Sequence, residues 1–179
     1  MATWTFDNSH SNIGFSVRHL MISKVRGHFN KWSGTFDYDP ANPRAAKIEV
    51  HIDAASIDTR EEKRDAHLRS PDFFDVEHHP ELVFKSTSVE GDGEELLLAG
   101  DLTIHGVTKP VQLKVESLGT TKDPWGGERA GFSASLSISR KDFGLHWNVA
   151  LETGGVVVGD KIEIAIEIEA VRAVATQAA

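Results

Sequence analysis

Residues 47–75 read KIEVHIDAASIDTREEKRDAHLRSPDFFD, and this stretch decides the fold class. It opens on an alternation: Ile48, Val50 and Ile52 against Lys47, Glu49, His51 and Asp53. A period of two puts the aliphatic side chains on one face of a strand and the polar ones on the other. From Asp58 to Asp65 charge takes over and the pattern turns helical, until Ser70-Pro71 stops it and the pair Phe73-Phe74 follows. Thr59, with Glu62 three residues on, has capping-box spacing and is expected to cap this helix. Both flanks of the stretch read as strand. The chain is therefore expected to be all-β, with one short helix near the mouth of whatever the strands enclose.

Toward the N-terminus, Trp4 and Phe6 share one side of a short strand. Ile13, Phe15, Val17, His19 and Met21 then alternate with Gly14, Ser16, Arg18 and Leu20. Val25, Gly27 and Phe29 continue the pattern, the phase slips, and Gly34, Phe36 and Tyr38 resume it. Toward the C-terminus the apolar series are Leu82, Phe84 and Ser86; Leu96 to Ile104; Val111, Leu113 and Val115; Phe132 to Arg140; and Ile162 to Ile168. Short turns such as Gly91-Asp92-Gly93 and His105-Gly106 imply antiparallel pairing. About eight or nine one-sided strands can stack as a sandwich or close as a barrel. Glycines inside strands (Gly14, Gly27, Gly34), strand lengths near ten residues and nearly apolar inner faces favour the barrel. Trp125, in the polar loop Thr120 to Glu128, is expected to fold over its own loop.

At 179 residues, 40% hydrophobic and 26% charged, the chain is expected to form one domain, 1–179, with a core of its own and a frayed end from Val171. It has no cysteine, which excludes disulfides, thiol catalysis and zinc–cysteine sites. A net charge of −8 without a basic run argues against nucleic acid as a partner. No apolar run reaches the roughly 18 residues of a transmembrane helix. The start, MATWTFDNSHS, lacks a basic segment followed by an apolar one. The sequence as it stands is expected to be cytoplasmic; a chain stripped of a leader would be periplasmic.

Catalytic motifs are sparse. Glu77-His78-His79 is metal-like in composition, but neighbours on an extended chain point apart, so no metal site is expected there. No nucleophile turn or phosphate-binding glycine loop occurs. No catalytic residue and no cofactor is expected, and the chain reads as a binder rather than an enzyme. A rival reading makes it an enzyme on a lipid or small metabolite, through His19 with Asp65 or His67.

Several pieces in order carry a resemblance: Trp4, Asp7, His10-Ser11; FSVRHLM at Phe15 to Met21; the run Val25 to Phe29; SIDT at Ser56 to Thr59; RDAHLRSPDFFD at Arg64 to Asp75; GDLTIHGVTKPV at Gly100 to Val111; and RKDFGL at Arg140 to Leu145. Together they resemble the YceI-like family of lipocalin-like lipid-binding proteins. That resemblance implies an extended antiparallel barrel with an apolar channel. It also implies binding and transport of a long polyisoprenoid, such as an isoprenoid quinone tail or a polyprenyl alcohol or phosphate. Fatty acids or fatty amides are the alternative ligands, and a homodimer is possible in such a family. The strand phases assign the channel wall to Phe15, Val17, Met21, Phe29, Phe36, Ile48, Val50, Ile52, Phe84, Leu102, Ile104, Leu136 and Ile138. His19, Arg60, His67, Phe73 and Phe74 are expected to form the lid or meet a polar head group.

Overall fold

The computed structural model describes residues 1–152 and 155–174. Eleven strands follow in order: β1 (Ala2–Phe6), β2 (Asn12–His19), β3 (Ser23–Phe29), β4 (Trp32–Tyr38), β5 (Lys47–Asp53), β6 (Ile57–Asp58), β7 (Glu81–Asp92), β8 (Glu95–Ile104), β9 (Val107–Lys122), β10 (Glu128–Ser139) and β11 (Val158–Arg172). One α-helix, α1 (Glu62–Arg69), lies between β6 and β7. All pairings among these strands are antiparallel. Eight strands close a ring in the order β1-β4-β5-β7-β8-β9-β10-β11, and β11 returns to β1. The chain folds as a lipocalin-like β-barrel, with one α-helix among the described residues.

Closure depends on the length of β11. Its last turn of strand pairs with β1, at Phe6↔Ala170, Thr5↔Val171 and Trp4↔Arg172. Its earlier part pairs instead with β2, from His19↔Val158 to Asn12↔Glu167. β2, β3 and β6 therefore leave the ring as a flap on the same edge. Phe15 faces Gly27 in the β2–β3 register, and a Cβ on Gly27 would lie 2.5 Å from the Phe15 ring. The glycine is what lets that ring lie across its neighbour strand.

A bulge shifts β7 between Ser86 and Ser88. Leu82 and Phe84 point inward before it and Val89 after it, while the Ser86 hydroxyl accepts from the Ile48 amide at 2.9 Å. Strict alternation through Ser86 does not survive the extra residue. Two apolar clusters line the ring. One centres on Phe29, Trp32, Ile57, Phe84, Ile104 and Phe143, the other on Trp4, Phe36, Tyr38 and Phe132.

The helix starts later than its capping-box spacing implies. Glu61 is the N-cap, and its carboxylate accepts from the Arg64 amide at 2.5 Å. Thr59 is held elsewhere: its amide and hydroxyl both donate to Asp65, at 2.9 and 2.5 Å. Arg60, with φ of 65°, bends the chain between the two. Arg69 fastens the helix end to the carbonyls of Ala55 and Ile57. Trp125 also departs from expectation, being 84% exposed. Asp123 organises that loop by accepting from the amides of Trp125 and Gly127, which leaves the indole nothing to pack on. The tail from residue 175 on lies outside the described residues.

A charged knot pins the seam. Arg129 of β10 donates to Asp7 at 2.9 Å, to Asp123 at 3.1 Å and to Glu169 of β11. Hydrogen bonds from Ser9, then His10 and Arg129, hold the Asp7 carboxyl far below the usual carboxylate range. A carboxyl depressed on folding contributes stability above its unfolded pKa of about 4, and that contribution is lost as pH falls from there toward the folded value. Asp7→Asn is therefore expected to melt below wild type at pH 7. The gap should narrow steadily as melting is repeated below about pH 4.

Candidate ligand channel

The inward side chains enclose a cavity of about 270 Å³. β10 contributes Phe132, Ala134, Leu136 and Ile138 to its wall, Arg140 follows directly after that strand, and β11 contributes Ile162, Ile164, Ile166 and Ile168. From Phe132 to Arg140 the chain advances about 26 Å at 3.3 Å per residue, or about 20 Å along a barrel axis from which strands tilt by about 40°. The cavity is thus long and narrow. Leu68, Phe73, Phe74, Phe143 and Leu145 stand at one end; Tyr38, Pro43, Ala46, Val89 and Leu96 stand at the other. Arg140 is the one charged residue in this wall among the described residues.

Of the residues assigned to the wall from sequence, Phe15, Val17, Phe29, Phe36, Ile48, Val50, Ile52, Phe84, Leu102, Ile104, Leu136 and Ile138 all face the cavity. Met21 does not. It sits in the β2–β3 turn with φ of 64°, 55% exposed, because the strand ends at His19 and alternation ends with it. Strand phase also carried Ile162 to Ile168, Phe132 and Ala134, which belong to the same wall.

The residues expected at the lid divide. Phe73 and Phe74 face the cavity, and Phe74 packs edge-on against Phe29. His67 lies on the outer side of the lid, where Nε2 meets Asp72 at 2.8 Å and the ring packs edge-on against Phe73 and Trp147. Trp147, from the irregular stretch after β10, completes that lid cluster at 5.3 Å from Phe73. No periodicity marked it. His19 ends β2 opposite Val158 and is not part of the wall. Arg60 faces an outer groove with Arg26, Asp58 and Glu163, because its left-handed backbone turns it off the lid. Asp65 is buried against Thr59. Among the described residues neither Asp65 nor His67 is hydrogen-bonded to His19, so the three form no relay.

Arg140 is the residue that sequence reading passed over, although it is in phase with Ile138. Its guanidinium donates to the carbonyls of Gly159 (2.9 Å), Leu145 (2.7 Å), Trp147 (2.9 Å) and Val158 (3.3 Å), with Asp160 at 3.7 Å. Burial pushes its pKa down and Asp160 opposes the shift. One planar fork thus holds the stretch that closes the lid end of the channel. Removing it leaves buried carbonyls without a donor, at about 1–3 kcal/mol each where water cannot reach them. Arg140→Met is expected to lower the melting temperature by about 5–15 °C, and Arg140→Lys to recover less than half, because a compact ammonium cannot span four carbonyls. Thermal melts of both variants check this.

The YceI-like domain matches residues 4–170 of this chain. The protein YceI of Escherichia coli O157:H7 is 42% identical over 166 residues, covering 93% of this chain and 84% of its own. The UPF0312 protein plu2095 of Photorhabdus laumondii is 44% identical over 163 residues, covering 91% and 82%. Among solved structures, the YCEI protein of Campylobacter jejuni superposes with a TM-score of 0.75 at 36% identity, over 94% of this chain and 96% of its own. A polyisoprenoid binding domain from Saccharophagus degradans shares the fold, with a TM-score of 0.70 at 16% identity, over 97% and 100%. With the closed barrel, the apolar channel and the helical lid in place, the chain belongs to the YceI-like domain family.

Proposed function

We propose that this protein binds a long-chain isoprenoid lipid in the barrel channel and carries or sequesters it without chemical change. The observation that carries the reading is the wall itself: about 20 Å of aliphatic and aromatic side chains with one charged group, Arg140, at the lid end. Such a cavity discriminates by length and width and offers little to a polar solute. A tail that loses a few hundred Å² of apolar surface to it gains several kcal/mol at about 25 cal/mol per Å², before ordering costs. That gain needs no reacting group. The polyisoprenoid binding domain from Saccharophagus degradans shares the fold, which supports the ligand class.

The tail occupies the channel between the β10–β11 face and the β4–β5–β7 face. The polar head group stays at the lid end, beside Arg140 and the aromatic cluster of Phe73, Trp147 and His67. A fatty acid or fatty amide would use the same wall, and competition between a polyprenyl alcohol and a fatty acid separates the two.

Val50 lies midway along the wall, across from Gly34 and Phe84 on the neighbouring strands. Val50→Trp is expected to fill the lumen: circular dichroism unchanged, uptake of a polyprenyl alcohol from detergent reduced at least about tenfold, since blocking costs more than 1.4 kcal/mol of buried tail. Unchanged uptake by a folded Val50→Trp variant would remove the channel from the account.

A further inference from the structure

Outside the channel, three side chains with metal-ligating chemistry meet where the segment after α1 reaches the β8–β9 turn. Asp75 and His79 belong to that segment, and His105 occupies the turn. One ligating atom from each lies within 4.8 Å of the others, and all three residues are half-buried. The imidazoles of His79 and His105 stand 4.7 Å apart, centre to centre, at 62°. Among the described residues, no protein group hydrogen-bonds to either ring.

The neighbouring histidine does something different. His78 donates from Nδ1 to both oxygens of Asp75, at 3.0 Å each. A carboxylate has about four acceptor positions, so Asp75 keeps lone pairs free while its orientation is fixed. That is how an outer donor orients a ligating carboxylate. The two adjacent histidines therefore separate into an orienting group and a ligand, and the second imidazole comes from a distant turn.

The backbone is arranged around the cluster. Asp75 and His105 both adopt left-handed conformations, with φ of 48° and 54°. His105 and Gly106 (φ 72°) form a two-residue turn of the kind that favours Asn-Gly. A Cβ on Gly106 would lie 2.8 Å from Cε1 and 3.1 Å from Nδ1 of His79, so the bare glycine makes room for that ring. A second His and carboxylate group, Asp7, His10 and Glu169, is different in kind. There the Arg129 guanidinium already engages both carboxylates, and a cation would have to displace it.

We infer that Asp75, His79 and His105 form a binding site for a divalent first-row transition-metal ion, which ties the lid segment to the barrel rim. Two imidazoles and one carboxylate suit zinc, with the fourth position left to water. Bonds of about 2.0–2.1 Å place tetrahedral donors about 3.3 Å apart. Donor atoms that already lie within 4.8 Å of one another have at most about 1.5 Å to close to reach that separation.

The test is calorimetric titration of the full, untagged chain with zinc chloride, paired with the visible spectrum of its cobalt(II) form. One saturable site is expected, with a tetrahedral cobalt spectrum. His79→Ala and His105→Asn should each weaken zinc at least about tenfold, because even outer partners of metal ligands cost 10–100-fold. Asn suits the left-handed turn position, so His105→Asn should keep the fold and isolate the loss of the imidazole. His10→Ala should leave the affinity unchanged. No saturable binding, or binding that survives both His79→Ala and His105→Asn, or that disappears with His10→Ala, would overturn the assignment.

Discussion

A barrel exists only if its first and last strands share an edge, and here that edge is a seam of three residue pairs between β1 and β11. Everything that the channel needs depends on it. Opened at the seam, the same strands would be a curved sheet with an exposed apolar face. The chain reinforces the seam from two sides. Trp4, buried on the inside, donates from its indole to the Tyr38 carbonyl at 3.1 Å and fastens β1 to β4. Outside, Arg129 draws the carboxylates of Asp7 just after β1, Glu169 of β11 and Asp123 of the β9–β10 loop into one knot. The ladder of β1 is short, three pairs with β4 and three with β11, and Phe6 adds ring contacts with Trp32 and Phe36.

Because β11 gives only its end to β1, its remaining edge is free for β2, and the flap of β2, β3 and β6 follows. The flap gives the helix a base. α1 is tied down almost wholly by polar contacts: Arg69 to two carbonyls, Asp65 and Arg64 around Thr59, and Leu68 as its apolar contact with the core. Opposite it, Arg140 gathers Leu145, Trp147, Val158 and Gly159. The channel wall is thus almost wholly apolar, while its lid end is closed by hydrogen bonds. Such bonds exchange with water at a net cost of about 1 kcal/mol each, less than opening an apolar core.

The strand phases were legible where each side chain faces either wall or water. β5, β10 and β11 show their inner faces without error for that reason, and Arg140 was itself in phase with Ile138. Four kinds of residue escaped. Met21 fails because phase has no meaning once the chain leaves the sheet at the β2–β3 turn, while His19, still paired at the end of β2, lies past the end of the wall. Ser86 fails because one extra residue in β7 inverts the faces beyond it. Thr59 failed through local competition, since the Asp65 carboxylate took the hydroxyl that capping spacing had reserved for the helix, and Arg60 failed because its left-handed backbone turns it off the lid. Trp147 and the approach of His79 to His105 are tertiary facts. Nothing local in either segment announces them.

The central claim is that the channel holds a lipid. Native mass spectrometry of the purified protein, followed by organic extraction of the same sample, addresses it most directly. The account predicts a protein carrying one amphipathic molecule with a long hydrocarbon tail, released on denaturation and identified in the extract as an isoprenoid. A protein that emerges empty, and remains empty after incubation with an added polyprenol, would contradict it.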